Sequence, residues 1–146
     1  ATGKGFFTTL GCFQCHQLGK EGNAFGPSLT GLLAKWKGDR GAVLEQLLDP
    51  SRVIEDKFRS WNLEVGDEAS VSGLILAEDN DTLTVQSGPT EVLKQKLKKS
   101  EVKSRRRSDT SLMPSGLLNT LNKEQILDLL AYLLAEGDEK HAAFQH

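Results

Sequence analysis

The sequence is poor in several residue types, and each scarcity excludes a class of structure. Two cysteines among 146 residues rule out a framework of several disulfides. No run of about 18 apolar residues occurs, so the sequence predicts no membrane-spanning helix. The net charge of −2 is too small to indicate a partner of either sign. With 38% hydrophobic and 26% charged residues, the composition is that of one ordinary globular domain with its own core.

The two cysteines stand three positions apart, and a histidine follows the second, in the segment Cys12-Phe13-Gln14-Cys15-His16. This spacing is typical of covalent haem attachment, in which each thiol adds to one vinyl group of the porphyrin. One helical turn brings the two sulfurs to neighbouring edges of the ring, and His16 follows as the proximal ligand of the iron. The motif therefore predicts a single covalent haem c, anchored by Cys12 and Cys15.

Two other chemistries use a CxxC pair. A dithiol redox centre has the same spacing, but a strand normally precedes it in a βαβ unit, and none is indicated here. Half of a zinc site would also fit the pair. Zinc requires four ligands, however, and only His16, His141 and His146 are available, without a second CxxC. Haem attachment is the interpretation that the residues favour.

Hydrophobic periodicity and chain-breaking residues indicate the helices. Residues 3–16 predict a short helix that runs into the haem motif, and residues 40–48 predict a second helix. Pro50 then opens another short helix that extends to about residue 57. The clearest helix begins with a capping box formed by Asn122 and Gln125.

Alternation of apolar and polar residues begins after Phe58 and predicts strands instead. Four runs, separated by Gly, Asn, Asp and Pro, indicate a small antiparallel meander. The runs lie near residues 61–65, 71–76, 82–86 and 92–97. Edge strands of such a meander would permit dimerisation.

Three further segments follow the haem motif in a fixed order: Gly26-Pro27-Ser28-Leu29-Thr30-Gly31, Leu48-Asp49-Pro50-Ser51-Arg52-Val53-Ile54 and Ser111-Leu112-Met113-Pro114-Ser115-Gly116-Leu117. In this order the sequence resembles class I cytochrome c, and most closely the haem-binding domain of planctomycete and verrucomicrobial proteins. The resemblance implies a mainly α fold, a helical haem cradle with the small antiparallel β-meander inserted between its proximal and distal halves. The first and last helices would cross, with Phe6 or Phe7 against Tyr132 or Leu133.

The resemblance also implies one cytochrome c domain over residues 1–146. Its proximal helical part would comprise residues 1–57, and the inserted meander residues 58–107. Residues 108–137 would form a methionine loop and the last helix, ended by Gly137. Residues 138–146 would form a polar tail.

Roles for single residues follow from the same resemblance. The carbonyl of Pro27 would accept a hydrogen bond from the free ring N–H of His16, and Pro27 and Leu29 would both bind the cofactor. Met113 is the only methionine, and it would be the sixth ligand of the iron, although a lone methionine is normally a core residue. His141 is the rival candidate for that position. Ligation by His16 and Met113 fills the coordination sphere and suits electron transfer.

The predicted function is one-electron transfer by a monohaem c-type cytochrome that is not itself an enzyme. The alternative is a haem enzyme or a gas sensor with a displaceable sixth ligand. The resemblance implies a periplasmic or otherwise exported protein whose redox partner is a dehydrogenase or another cytochrome, or a module of a larger dehydrogenase. The chain opens at Ala1 without a signal peptide, which predicts a processed form or an excised domain.

Eight of the 18 basic residues fall within the 14 positions from Lys94 to Arg107. Neither a recognition helix nor a pattern of stacking aromatics accompanies them, so nucleic-acid binding is not predicted. The run is interpreted as a solvated strand face or as a positive patch that attracts an acidic redox partner. Candidates to bind the haem propionates are Trp36, Arg40, Arg52 and Trp61.

Overall fold

A computed structural model describes residues 2–136 of the chain, and those residues form two compact units. The first unit, residues 2–52 and 114–136, holds the α-helices, and the second, residues 53–113, holds the sheet. The predictions made for Gly137, for the tail 138–146 and for His141 lie outside the described residues. None of the helices described is long and apolar enough to cross a membrane.

The helices of the first unit are mostly short. They are α1 (Gly3–Thr9), α2 (Cys12–Cys15), α3 (Leu32–Lys35), α4 (Arg40–Leu48) and α5 (Lys123–Leu134). The single helix predicted over residues 3–16 is in fact two helices, because Gly11 adopts a left-handed conformation with φ of +77°. The helix predicted over residues 40–48 is confirmed as α4, and the Asp39 side chain caps it by accepting the N–H of Ala42 at 3.0 Å.

The capping box predicted for the last helix is confirmed. The side chain of Asn122 accepts the Gln125 N–H at 2.9 Å, and the side chain of Gln125 accepts the Asn122 N–H at 2.8 Å. These two bonds satisfy two of the amide groups that have no partner inside α5.

The core of the first unit is centred on the crossing of α1 and α5. Phe7 is almost fully buried, and its ring centroid lies 5.6 Å from that of Tyr132, so the predicted contact between the first and last helices is confirmed. Gly3 allows the two helices to approach, because a Cβ atom there would lie 2.2 Å from the Asp128 carbonyl oxygen. Leu129 and Leu133 complete the centre of this core.

The second unit is a five-stranded antiparallel sheet. Its strands are β1 (Trp61–Val65), β2 (Ala69–Glu78), β3 (Thr82–Gln86), β4 (Lys94–Lys98) and β5 (Val102–Arg107), in the order β4-β3-β2-β1-β5. The prediction of a mainly α fold is therefore wrong. The described residues contain a substantial share of strand beside their helices. The share of strand is larger than expected because β2 is ten residues long and a fifth strand joins the expected four.

The sheet of the second unit is curled. β4 and β5 lie at opposite edges, which in a flat sheet of five strands would be about 19 Å apart. Only residues 99–101 connect them, and this link spans at most about 14 Å even when extended. The carboxylate of Glu78 at the end of β2 bonds Lys99 of the link at 2.6 Å and Arg105 of β5 at 2.9 Å. One end of the curled sheet is thus closed by ion pairs.

Inside the curl, four apolar side chains are buried: Leu63, Leu83, Val85 and Leu97. Strand β5 contributes little to this core, since Val102 is its only apolar residue. Arg105 and Arg107 instead lie over the ring of Trp61, with guanidinium carbons 5.6 and 5.1 Å from its centroid.

The helix predicted from Pro50 to about residue 57 is wrong. The chain there forms turns, and only Asp56–Phe58 makes a single 3₁₀ turn. Arg52 is used in a tertiary contact instead, since its guanidinium pairs with the Glu45 carboxylate of α4.

Candidate cofactor site

The CxxCH motif forms one tight turn at the start of the first unit. α2 consists of the four residues from Cys12 to Cys15, and the N–H of His16 closes it on the Cys12 carbonyl at 2.9 Å. Both cysteines are free thiols and half-buried. One turn therefore presents two thiols and an imidazole in sequence.

The imidazole of His16 is held by one hydrogen bond. Its Nδ1 lies 2.6 Å from the carbonyl oxygen of Pro27. A carbonyl can only accept, so Nδ1 carries the proton, and Nε2 is left with the lone pair that a metal would bind. The orientation expected of Pro27 from the family resemblance is present in the structure.

The surroundings keep this imidazole neutral. Burial lowers the pKa of His16 below its usual value, although the Pro27 hydrogen bond opposes the shift, and the charge of Lys35 lowers it further. Neutral imidazole is the form that binds iron. Burial also raises the pKa of both Cys12 and Cys15, whereas a reactive dithiol centre depends on a lowered thiol pKa.

Glycine allows the chain to pack closely around His16. A Cβ on Gly26 would lie 3.1 Å from Cε1 of the imidazole, and a Cβ on Gly22 would lie 2.0 Å from the His16 carbonyl oxygen. Neither contact could be predicted from the residues alone, because both glycines are equally compatible with an ordinary loop. The chain is therefore closely packed against the motif at Gly22 and at Gly26.

Apolar side chains at the edge of the core provide a surface of the kind that a porphyrin needs. Leu29, Leu33 and Trp36 are only half-buried, although they pack against the core cluster, and Leu44 and Leu47 of α4 behave in the same way. An apolar macrocycle gains free energy by covering such area. Together with the free thiols and the available Nε2, these residues fit haem c.

Met113 is the last residue of the second unit. It is half-buried, and its backbone N–H donates to the Ser111 hydroxyl at 3.1 Å. His16 belongs to the first unit, so the sixth-ligand assignment remains a prediction from the sequence.

The basic run from Lys94 to Arg107 is divided between β4, the link and β5. Five of its eight side chains pair with carboxylates of the second unit: Lys94 with Glu91, Lys99 and Arg105 with Glu78, Lys103 with Asp67 and Arg107 with Asp56. This pairing reduces the positive field that the run would project. The structure therefore favours a solvated, internally paired face over a patch that attracts acidic partners.

The candidates for binding the propionates have different surroundings. Trp36 lies at the edge of the first core, Arg40 begins α4, and Trp61 lies beneath two arginines of β5. Within residues 2–136, no three His, Cys, Asp or Glu side chains are grouped so that they could hold a metal ion.

Residues 1–59 match the family model of cytochrome c. The matched part contains the CxxCH turn, Pro27 and Leu29, and it ends before β1. No curated protein matches the chain.

Cytochromes c bind haem c covalently, and Cys12, Cys15 and His16 supply the attachment motif. The cofactor is haem c. A cytochrome c segment of this kind supports the function of a haem c-binding electron carrier.

Proposed function

We propose that the protein is a monohaem c-type cytochrome that carries single electrons, with His16 and Met113 as the axial ligands of the iron. Cys12 and Cys15 would each form one thioether bond. The observation that carries the proposal is the hydrogen bond from His16 Nδ1 to the Pro27 carbonyl. It leaves Nε2 as the only ring nitrogen available, beside two free thiols on the same turn.

Each of these residues has a separate task. Haem supplies a one-electron couple between ferric and ferrous iron. Pro27 fixes the tautomer of His16 and makes its imidazole a better electron donor, and Leu29 contributes apolar contact. The Met113 thioether would favour the reduced state and would fill the remaining ligand position, which would leave no place for a substrate.

The family resemblance also supports a proposal for the domain type, the localisation and the electron partner of the protein. The two units would act as one cytochrome c domain of the planctomycete and verrucomicrobial type, in a periplasmic or otherwise exported protein. The electron partner is a dehydrogenase or another cytochrome, or a larger dehydrogenase of which this chain is a module. Dimerisation through the edge strands of the second unit belongs to the same proposal.

The ligand assignment is tested by the visible and near-infrared spectrum of the ferric protein. We expect wild type to have the sulfur-to-iron charge-transfer band and Met113→Ala to lack it. Leu112→Ala is the matched control, since it truncates a half-buried neighbour in the same loop without removing a sulfur. A wild type without the band would contradict Met113 as the ligand.

Carbon monoxide binding separates the carrier from the haem enzyme or gas sensor. Because Met113 would fill the sixth position, we expect reduced wild type not to bind carbon monoxide at neutral pH, and Met113→Ala to bind it rapidly. Rapid binding by wild type would favour the sensor or enzyme instead.

A further inference from the structure

The segment from residue 23 to residue 29 runs back along the haem motif and binds backbone carbonyls of the motif and of the residue after it. α2 is a single turn, so the carbonyls at its end have no partner within the helix. Three of the bonds join backbones: Asn23 N–H to the Phe13 carbonyl at 3.0 Å, Gly26 N–H to the Cys15 carbonyl at 2.6 Å and Leu29 N–H to the Gln17 carbonyl at 2.8 Å.

One carbonyl of the turn is bound by a side chain instead. The Asn23 side-chain Nδ2 donates to the Gln14 carbonyl at 3.1 Å. Asn23 therefore donates to the carbonyls of both residues that lie between Cys12 and Cys15, once from its backbone and once from its side chain.

The backbone beside Asn23 lies close to the haem motif. Gly22 has φ of +92°, a conformation that glycine adopts readily, and its Cα packs against the His16 carbonyl. The Asn23 amide is thus held against the haem motif by its own neighbour.

We propose that Asn23 is a positioning residue for His16. Its amide fixes the peptide of Gln14, the end of α2 keeps its geometry, and the imidazole that follows stays on the Pro27 carbonyl. The inference rests on the proposed function and deepens it, since the property that Asn23 controls is the electron donation of an axial ligand.

Two substitutions should act in a definite order. Asn23→Ala leaves the Gln14 carbonyl to water, and the turn loosens. Asn23→Asp keeps the shape of the side chain but sets a carboxylate against that carbonyl, so its effect should be larger. In both variants the bond from His16 to Pro27 weakens, the imidazole donates less to iron, and the midpoint potential rises.

The experiment uses the full-length protein with haem attached. Potentiometric titration gives the midpoint potential, and NMR gives the exchange rate of the His16 Nδ1 proton. For Asn23→Ala we expect a higher potential and exchange faster by about fivefold, the factor that one ordinary hydrogen bond represents. Asn23→Asp should have a higher midpoint potential and a faster Nδ1 proton exchange than Asn23→Ala.

Asn80→Ala and Asn80→Asp are the matched controls, because Asn80 lies in the hairpin between β2 and β3 of the second unit. Both controls should match wild type. Asn23 variants that lose only thermal stability, with potential and proton exchange unchanged, would overturn the proposal. If Asn23→Asp yields no protein with haem, the result for Asn23→Ala decides alone.

The outcomes separate this inference from the proposed function. A wild type without covalent haem overturns both. If wild type carries haem and the Asn23 variants have the same midpoint potential and the same proton exchange rate as wild type, only the role of Asn23 is overturned.

Discussion

At the scale of single residues, the most constrained positions are glycines where the chain meets itself. Gly3, Gly22 and Gly26 each lie where a Cβ atom would meet backbone or the His16 ring. By local pattern, Gly3 lies at the start of the predicted helix over residues 3–16, and Gly22 and Gly26 are only residues that break regular structure. The contacts that require them are made by residues distant in sequence or by a neighbouring turn, so no local pattern could have predicted them.

The first prediction concerns Gly3. A Cβ there would lie 2.2 Å from the Asp128 carbonyl oxygen and 2.5 Å from Tyr132 Cβ, so Gly3→Ala must push α1 away from α5. We expect a loss of about 1–3 kcal/mol in the free energy of unfolding, the usual cost of overpacking. Denaturant unfolding measures it.

Gly5→Ala is the matched control in the same helix. Its added Cβ meets only the Thr2 hydroxyl, at 3.7 Å, and alanine favours helix, so this variant should be as stable as wild type or more stable by about 0.5–1 kcal/mol. If the two variants have equal stability, the close approach of α1 and α5 at Gly3 is refuted.

At the scale of elements, the helices and strands that could be predicted are those with a signal in their own sequence. β1, β3, α4 and α5 were found within a residue or two of their bounds, because alternation, helical periodicity and capping are local signals. β5 was not predicted. Its Arg105 and Arg107 lie on the same side of the sheet as Leu63 and Trp61, and long cations there are stabilised by the Trp61 ring and by acidic partners of other elements.

The ion pairs that close the curled sheet have a pH dependence that can be predicted. Hydrogen bonds from Arg105 and then Lys99 lower the pKa of Glu78 to about 2. A carboxyl group with a lowered pKa stabilises the folded state above its ordinary pKa, and that stability is lost as pH falls toward the folded value. This contribution should therefore disappear between about pH 4.5 and pH 2.

We expect Glu78→Gln to lower the melting temperature at pH 7 and to flatten its fall between pH 4.5 and pH 2. Part of the fall should remain, because hydrogen bonds from Asp81 and Thr82 lower the pKa of Asp79 as well. The control is Glu64→Gln on β1, which removes the charge of an exposed glutamate of the same sheet. If the melting temperature of Glu78→Gln has the same pH dependence as that of wild type, closure of the sheet by the Glu78 ion pairs is refuted.

At the scale of the whole molecule, covalent attachment of the pigment is the property on which the functional account depends. We expect the matured protein to keep all of its haem through acid–acetone extraction, because thioether bonds survive that treatment. Cys12→Ser with Cys15→Ser should release all of it. Pigment that leaves wild type on extraction would refute attachment through the two thiols.

The functional site could be predicted from the sequence further than the fold could. Cys12, Cys15 and His16 were predicted because the chemistry of attachment demands fixed residue types at fixed spacing, whereas Pro27 was predicted from the family resemblance. The balance of helix and strand was not, since a fifth strand without apolar alternation gives no local signal. Asn23 was also missed, because asparagine beside glycine is ordinary in a loop and its bond to Gln14 appears only in three dimensions.

The first and last strands of the second unit are neighbours. β1 pairs with β5, and the N–H of Ser108 bonds the Ser60 carbonyl at 2.9 Å, so the chain enters and leaves the sheet about one strand spacing apart. The five strands, Trp61 to Arg107, therefore form a chain segment whose two ends lie only about 5 Å apart. Because these ends are so close, we expect a linker of about two or three residues to be able to replace the whole sheet, and such a segment is readily inserted or deleted as one piece.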